Sequence, residues 1–254
     1  MIASLALAAT VGSANAETTW SVASGVDYSS GDYGGATDTE VLSVPLTFRA
    51  RHDDWTFRAS TSYLEITGPA DVADIADGGG ATGVTSRTGT ERGLGDTNLA
   101  VSRTFRELGG TDFYFETTAR VRLPTGDDDK GLGVGVTDYG LSGEVGLNQR
   151  GGGASLELTR RFLGDRTGVD RQDGWQISAA TWLRAAENTT IGAFGSWREA
   201  SIEGNDDPAQ LGAYISQRVS PNVRLAFNAA AGLSDASADY MTGIRLTWRP
   251  SSDD

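Results

Sequence analysis

The sequence predicts an all-β fold: a transmembrane, antiparallel, up-and-down β-barrel of about 12 strands, within a range of about 10 to 14. Three observations predict this fold. Apolar and polar residues alternate with a period of two in twelve segments of the chain. The connections between these segments are alternately short and long, and most large aromatic residues lie near the segment ends on the apolar face.

The twelve segments are separated by clusters of Gly, Asp, Asn and Ser, which are typical of turns. They cover residues 19–28, 41–51, 55–66, 96–105, 114–126, 136–148, 154–163, 175–184, 190–198, 209–219, 223–233 and 240–249. In the fifth segment, Glu116, Arg120 and Arg122 share one face, and Phe115 and Val121 lie on the other. A membrane barrel places the apolar face against lipid and the polar face in the lumen.

The connections predict how the barrel is oriented. Short connections begin near residues 52, 107, 149, 185 and 220, and longer ones lie between them, so all long loops fall at one end. Outer-membrane barrels have tight periplasmic turns and long extracellular loops, and an even number of strands puts both termini in the periplasm. The longest loop, about 67–92, either folds into the lumen as a gate or stays outside, and both alternatives remain open.

The lumen face is rich in arginine. It carries Arg49, Arg58, Arg120, Arg122, Arg161, Arg184, Arg218 and Arg245, together with Glu116, Glu144 and Glu157. These residues either form a basic ladder that selects anionic solutes or fill the lumen with salt bridges. Arg103 and Arg160 fall on the lipid face near strand ends, where arginine side chains can reach the interface.

Most strand aromatic residues lie on the apolar, outward face, but four point inward. They are Tyr114, Trp182, Phe194 and Tyr214, which we predict to be apolar contacts for a solute in the lumen.

Composition and motifs exclude several classes of function. The net charge of −13 argues against a nucleic-acid partner, because binding to phosphates needs a basic surface. The chain has no cysteine and one histidine, His52, in a predicted periplasmic turn, so we predict no enzyme, no cofactor and no zinc or iron site. Asp127, Asp128 and Asp129 carry the oxygen ligands that calcium or magnesium prefers, but without the spacing of a known loop.

Residues 1–16 are apolar over 2–11 and end in Ala14-Asn15-Ala16. This pattern predicts a secretory signal peptide cleaved after Ala16, which leaves residues 17–254 as one outer-membrane barrel domain.

Two stretches, "GLGDTNLAVSRTF" at 93–105 and "RLPTGDDDKGLGVGVTDYGLSGEVGL" at 122–147, carry a resemblance to a known family. They are similar to Gram-negative outer-membrane proteins described as components of a meta-cleavage pathway of phenol degradation, or as transporters related to the fatty-acid uptake barrels. The resemblance covers about 55 residues and implies passage of small apolar or aromatic molecules through a barrel.

The sequence therefore leads to two expectations about function. The first is an outer-membrane channel that passes small molecules by passive diffusion, either aromatic or apolar compounds or small organic anions. The second is a structural or adhesive barrel with a closed lumen, whose acidic loops bind partners or bridge lipopolysaccharide through divalent cations. In both, outer-membrane lipid and lipopolysaccharide surround the chain.

Overall fold

A computed structural model describes residues 18–35, 37–71, 83–84, 89–106 and 110–250. The predicted signal peptide and much of the predicted loop 67–92 lie outside these residues. In the described part of that loop, Ala70–Asp71 pairs with Gly83–Val84 in a short antiparallel ladder.

Twelve antiparallel strands form the wall, as the sequence predicts. Their bounds are β1 Thr19–Gly31, β2 Thr39–His52, β3 Trp55–Thr67, β4 Thr90–Leu94 with Thr97–Phe105, β5 Phe113–Leu123, β6 Asp138–Gln149, β7 Gly152–Phe162, β8 Gly174–Ala186, β9 Thr189–Arg198, β10 Ala209–Arg218, β11 Val223–Gly232 and β12 Tyr240–Trp248. Each strand pairs with the next in the chain, and β12 pairs with β1 from Val22↔Trp248 to Ser30↔Tyr240. This closure pairs each strand on both sides, except that the first half of β4, Thr90–Leu94, pairs with β3 alone.

The two ends of the barrel differ in their connections. At the short-turn end, strands are joined through residues 53–54, 106–112 (of which 106 and 110–112 are described), 150–151, 187–188 and 219–222. At the long-loop end lie the loops 32–38 (described except for residue 36), 124–137, 163–173, 199–208 and 233–239, together with the described parts of the β3–β4 connection. The names short-turn end and long-loop end are kept below.

Strand β4 differs from its predicted bounds of 96–105. It begins at Thr90 and is interrupted at Gly95-Asp96, where the Gly95 amide still donates to the Ser62 carbonyl at 2.8 Å. The extra residue at this interruption shifts the inside–outside alternation. The period-two pattern therefore detected only the second half of the strand.

The outer surface of the barrel is an exposed apolar band. Large exposed side chains cover it on every strand, for example Leu46, Phe57, Leu99, Leu141, Leu183, Leu211 and Ile244. Aromatic pairs mark its edges. The ring centroids of Trp20 and Trp248 are 5.2 Å apart at the short-turn end, and those of Tyr28 and Tyr240 are 6.0 Å apart at the long-loop end. Such a surface suits contact with lipid between two aromatic girdles. No helix in the described ranges is long and apolar enough to cross a membrane.

The two arginines on the outer face lie over aromatic rings. The Arg103 guanidinium is 5.4 Å from the Trp55 ring and 5.0 Å from the Phe105 ring. Arg160 is 5.3 Å from the Trp175 ring and also pairs with Asp173 at 3.7 Å. These cation–π contacts explain how each charge is accommodated at the edge of the apolar band.

Each inward aromatic residue packs against a glycine of the neighbouring strand. The directly paired residues are Tyr114 with Gly146, Trp182 with Gly153, Phe194 with Gly212, and Tyr214 with Gly192. In every pair a Cβ on the glycine would collide with the ring of its partner. The absent side chain lets the ring lie flat against the wall.

We expect Gly192→Ala to lower the free energy of unfolding by about 1–3 kcal/mol, the usual cost of overpacking. A Cβ at this position would lie 2.5 Å from the Thr181 carbonyl oxygen and 2.6 Å from the Tyr214 ring. Denaturant unfolding of the refolded barrel, followed by tryptophan fluorescence, measures the change.

The matched control is Gly195→Ala on the outer face of the same strand. Its Cβ would lie 3.3 Å from the nearest atom, the Gln210 carbonyl oxygen, so we expect little change. Equal unfolding midpoints for the two variants would contradict the packing argument.

Candidate functional site: the barrel lumen

The lumen contains a cavity of about 240 Å³ whose wall combines polar and apolar side chains. Four of the predicted lumen arginines, Arg58, Arg120, Arg122 and Arg161, line this cavity together with Glu144 and Glu157. Hydroxyl and amide side chains make up much of the remaining wall, including Ser60, Ser62, Asn98, Ser155, Thr159, Gln176 and Ser178. The cavity therefore offers hydrogen-bond donors and fixed charges of both signs.

Three glutamates form a row on adjacent strands. Glu116 on β5 is the direct partner of Glu144 on β6, which is the direct partner of Glu157 on β7. Each carboxylate has a different contact: Glu116 accepts from Thr104 at 2.6 Å, Glu144 from Tyr114 at 2.6 Å, and Glu157 pairs with Arg120 at 3.5 Å. The row makes β5–β7 the acidic side of the lumen.

The remaining predicted arginines lie on other strands, mostly on the opposite side of the barrel. Arg245 on β12 pairs with Asp27 on β1 at 3.1 Å. Arg49, Arg184 and Arg218 lie close to the short-turn end of β2, β8 and β10. The predicted residues thus share one lumen without forming a single centre.

Asp138, the first residue of β6, is the centre of a buried ion-pair network. Both of its oxygens accept from Arg171 at 2.8 Å, and it also pairs with Arg122 and accepts from the Gly164 amide at 2.9 Å. The side chains of Asp138 and Arg171 are 6% and 1% exposed. This ion-pair centre ties β5 and β6 to the loop 163–173.

The inward aromatic residues are packed in this conformation. Trp182, Phe194 and Tyr214 form one cluster and are 5%, 7% and 8% exposed, with Ala180 and Ala230 against it. Tyr114 stands apart and donates its hydroxyl to Glu144. The cluster therefore fills the wall of β8–β11 rather than presenting open faces to the lumen.

The β5–β6 loop, residues 124–137, folds into the long-loop end of the barrel. Leu132 is buried against Leu64 and Ile66 of β3 and Val41 of β2. These three strand residues alternate with exposed neighbours and therefore face the inside of the barrel. Tyr33 and Ala238 from two other loops complete what we call the long-loop apolar cluster. Burial raises the pKa of Tyr33 to about 12, so its phenol stays neutral at physiological pH.

Asp96, at the interruption of β4, holds this loop in place. Its two carboxylate oxygens accept from the backbone amides of Gly126 at 3.0 Å and Val134 at 2.9 Å. Thr125 adds a hydrogen bond to the Gly95 carbonyl at 3.2 Å. The segments "GLGD" and "PTGDDDKGLGVG", which carry the family resemblance, are therefore brought into direct contact.

The three loop aspartates have local roles. Asp127 accepts from the Lys130 amide and pairs with its side chain at 3.1 Å, and this contact holds the pKa of Asp127 below its usual value. Asp128 lies 3.8 Å from Arg166. Within the described ranges, no group of three or more His, Cys, Asp or Glu residues is arranged to hold a metal ion.

Sequence reasoning did not single out Arg171 or the anchoring role of Asp96. Arg171 lies in an irregular loop, where no periodic pattern assigns a direction to a side chain. Asp96 could have been found from its position next to Gly95, because a glycine-aspartate pair inside a strand pattern indicates a bulge.

Comparisons with known proteins support the fold class. No protein-family model matches the sequence, and no curated protein sequence matches it at a significant level. The COG4313 outer membrane channel from Pseudomonas putida F1 has a similar structure, with a TM-score of 0.69 and 12% identity over 94% of this chain and 97% of that one. The NanC porin has the same fold, with a TM-score of 0.60 and 6% identity over 89% of this chain and 97% of that one. The KdgM porin has it too, with a TM-score of 0.56 and 9% identity over 92% of this chain and 99% of that one. The architecture is that of an outer-membrane β-barrel.

Proposed function

We propose that this chain is a non-enzymatic outer-membrane channel of a Gram-negative bacterium, which passes small molecules by passive diffusion. The observation that carries the proposal is the cavity of about 240 Å³, lined by charged and hydroxyl side chains, inside a barrel with an apolar outer face. In this orientation the short-turn end faces the periplasm, with both termini. The long loops lie outside, beside lipopolysaccharide.

The lumen charges favour small organic anions among the solutes considered. Arginine guanidinium groups bind carboxylates with two parallel hydrogen bonds, and several arginines reach the cavity wall. Passage of apolar or aromatic molecules would rely on Trp182, Phe194 and Tyr214, whose faces are packed together here. His52, at the short-turn end of β2, is hydrogen-bonded to Thr18 at 3.0 Å, which suits a turn residue better than a catalytic one.

Solute uptake by liposomes tests the proposal. Liposomes containing refolded residues 17–254 are compared with protein-free liposomes for uptake of benzoate, phenol and a neutral sugar of similar size. We expect protein-dependent uptake, with benzoate faster than the neutral sugar because the lumen carries fixed positive charge. Uptake of all three at the rate of protein-free liposomes would contradict the channel.

A structural barrel is the second candidate, and two observations favour it. The β5–β6 loop occupies the long-loop end, and the Asp138 centre holds two arginines in ion pairs. In that case the acidic loops would be the functional surface, either for a partner or for divalent cations between lipopolysaccharide molecules.

A further inference from the structure

Six lumen-side arginines gather at the short-turn end of the barrel. We call them the short-turn arginine cluster; its members are Arg49, Arg51, Arg184, Arg218, Arg224 and Arg249. Their neighbours Phe48, Leu183, Leu225 and Trp248 are exposed on the outer face, so strand alternation directs the arginines toward the lumen.

The cluster contains like charges in direct opposition. Arg218 on β10 is the direct partner of Arg224 on β11, both members of the cluster. The member Arg49 on β2 is the direct partner of Arg58 on β3, which lines the cavity outside the cluster. Arg249 lies within electrostatic range of both Arg49 and Arg224, and so connects the two pairs. Like charges on directly opposite residues destabilise a sheet, so this arrangement costs stability.

Countercharges are scarce around the cluster. In the part of the chain that the structure describes, no carboxylate lies within ion-pair distance of any of the six. Arg224 donates to the Ser216 hydroxyl at 3.1 Å, and Arg51 lies 3.5 Å from the Thr56 hydroxyl. The Glu116 carboxylate attracts Arg49 and Arg51 electrostatically, but from beyond ion-pair distance. Arg122, Arg171 and Arg245 differ, because each has a carboxylate partner.

We propose that the short-turn arginine cluster is a binding site for a small oxyanion, meaning a carboxylate, phosphate or sulfate group. Guanidinium groups present paired N–H donors that match two oxygens of such a group, and clustered arginines gain most when an anion lies between them. The site deepens the proposed function by naming the residues at which an anionic solute would bind. Only the claim of transport rests on that function. Binding itself requires no open lumen.

Titration with two probes tests the site. Inorganic phosphate, followed by ³¹P line broadening, and benzoate, followed by ¹H line broadening, are titrated into refolded residues 17–254 in an uncharged detergent. We expect saturable binding that weakens with added salt, and a loss of affinity of about tenfold or more in Arg218→Gln/Arg224→Gln, because each hydrogen bond to a charged group contributes about that factor. Binding of phosphate alone would identify an inorganic anion site, and binding of benzoate would identify an organic carboxylate site.

Arg103→Gln is the matched control, since it removes one positive charge from the outer face. It should bind both probes like the wild type. No saturable binding of either probe, or equal affinity in the double variant and the wild type, would overturn the site.

Stability separates a binding role from a structural one. If the cluster binds anions, Arg218→Gln/Arg224→Gln removes a repulsive pair, and its unfolding midpoint without added anion should equal or exceed that of the wild type. A lower midpoint would mean that these arginines support the barrel, and would overturn the inference. Binding without liposome uptake would contradict the channel and leave the binding site standing. Uptake without binding would contradict the binding site and leave the channel standing.

Discussion

Asp138→Asn is expected to lower the free energy of unfolding by about 3–5 kcal/mol, the usual cost of breaking a buried ion pair. Asparagine keeps the size of the side chain but removes the charge that Arg122 and Arg171 share. Both arginine side chains are almost fully buried, at 7% and 1% exposed, and would be left without this counter-ion. Few single substitutions in the lumen should cost as much.

Denaturant unfolding of the refolded barrel measures this loss, with the slope against denaturant expected to stay constant. The control is Glu157→Gln, which removes a carboxylate from a longer, more exposed pair with Arg120 at 3.5 Å. We expect that control to cost about 1 kcal/mol or less. Faster proteolysis of the loop 163–173 in Asp138→Asn would show that the Arg171 tether has been released, and equal midpoints for the two variants would refute the argument.

Leu132→Asp is expected to increase the conductance of the barrel in planar bilayers several-fold. Leu132 is 2% exposed in the long-loop apolar cluster, and an ionised carboxylate there would have no partner. The β5–β6 loop should therefore leave the lumen. Trypsin cleavage after Lys130, in the same loop, reports its release independently of any current.

Leu132→Met is the matched control, because methionine keeps the apolar volume and should leave conductance unchanged. Asp96→Ala should release the same loop, because it removes the carboxylate that accepts from the Gly126 and Val134 amides. A loop that is cleaved rapidly in Leu132→Asp or Asp96→Ala, with wild-type conductance, would show that it does not obstruct the lumen.

The wall of this barrel could be predicted from the sequence because one rule controls it. Period-two alternation assigns each strand residue to lipid or lumen. It predicts that Trp182, Phe194 and Tyr214 point inward, and the structure buries all three in one cluster. Their packing against glycines was also present in the sequence, but only the strand register reveals that Trp182 lies opposite Gly153.

The interior contacts could not be predicted in the same way. Whether an inward arginine is paired depends on register, on rotamer and on which loop folds over it. Arg171 comes from an irregular loop to bind Asp138, and Leu132 enters from another. The sequence left the lumen arginines as one set, whereas the structure separates those with carboxylate partners from the short-turn arginine cluster.

The two ends of the barrel carry opposite fixed charge. In each of the five described long loops acidic residues outnumber basic ones, while arginines collect on the lumen side at the short-turn end. Mobile ions screen such charge over about 8 Å at physiological ionic strength, a length comparable with the bore of a small barrel. We therefore expect cations to be enriched at one mouth and anions at the other. In a conducting barrel, this separation of charge would let ions accumulate when driven one way and be depleted when driven the other, so we expect the current at equal and opposite voltages to differ.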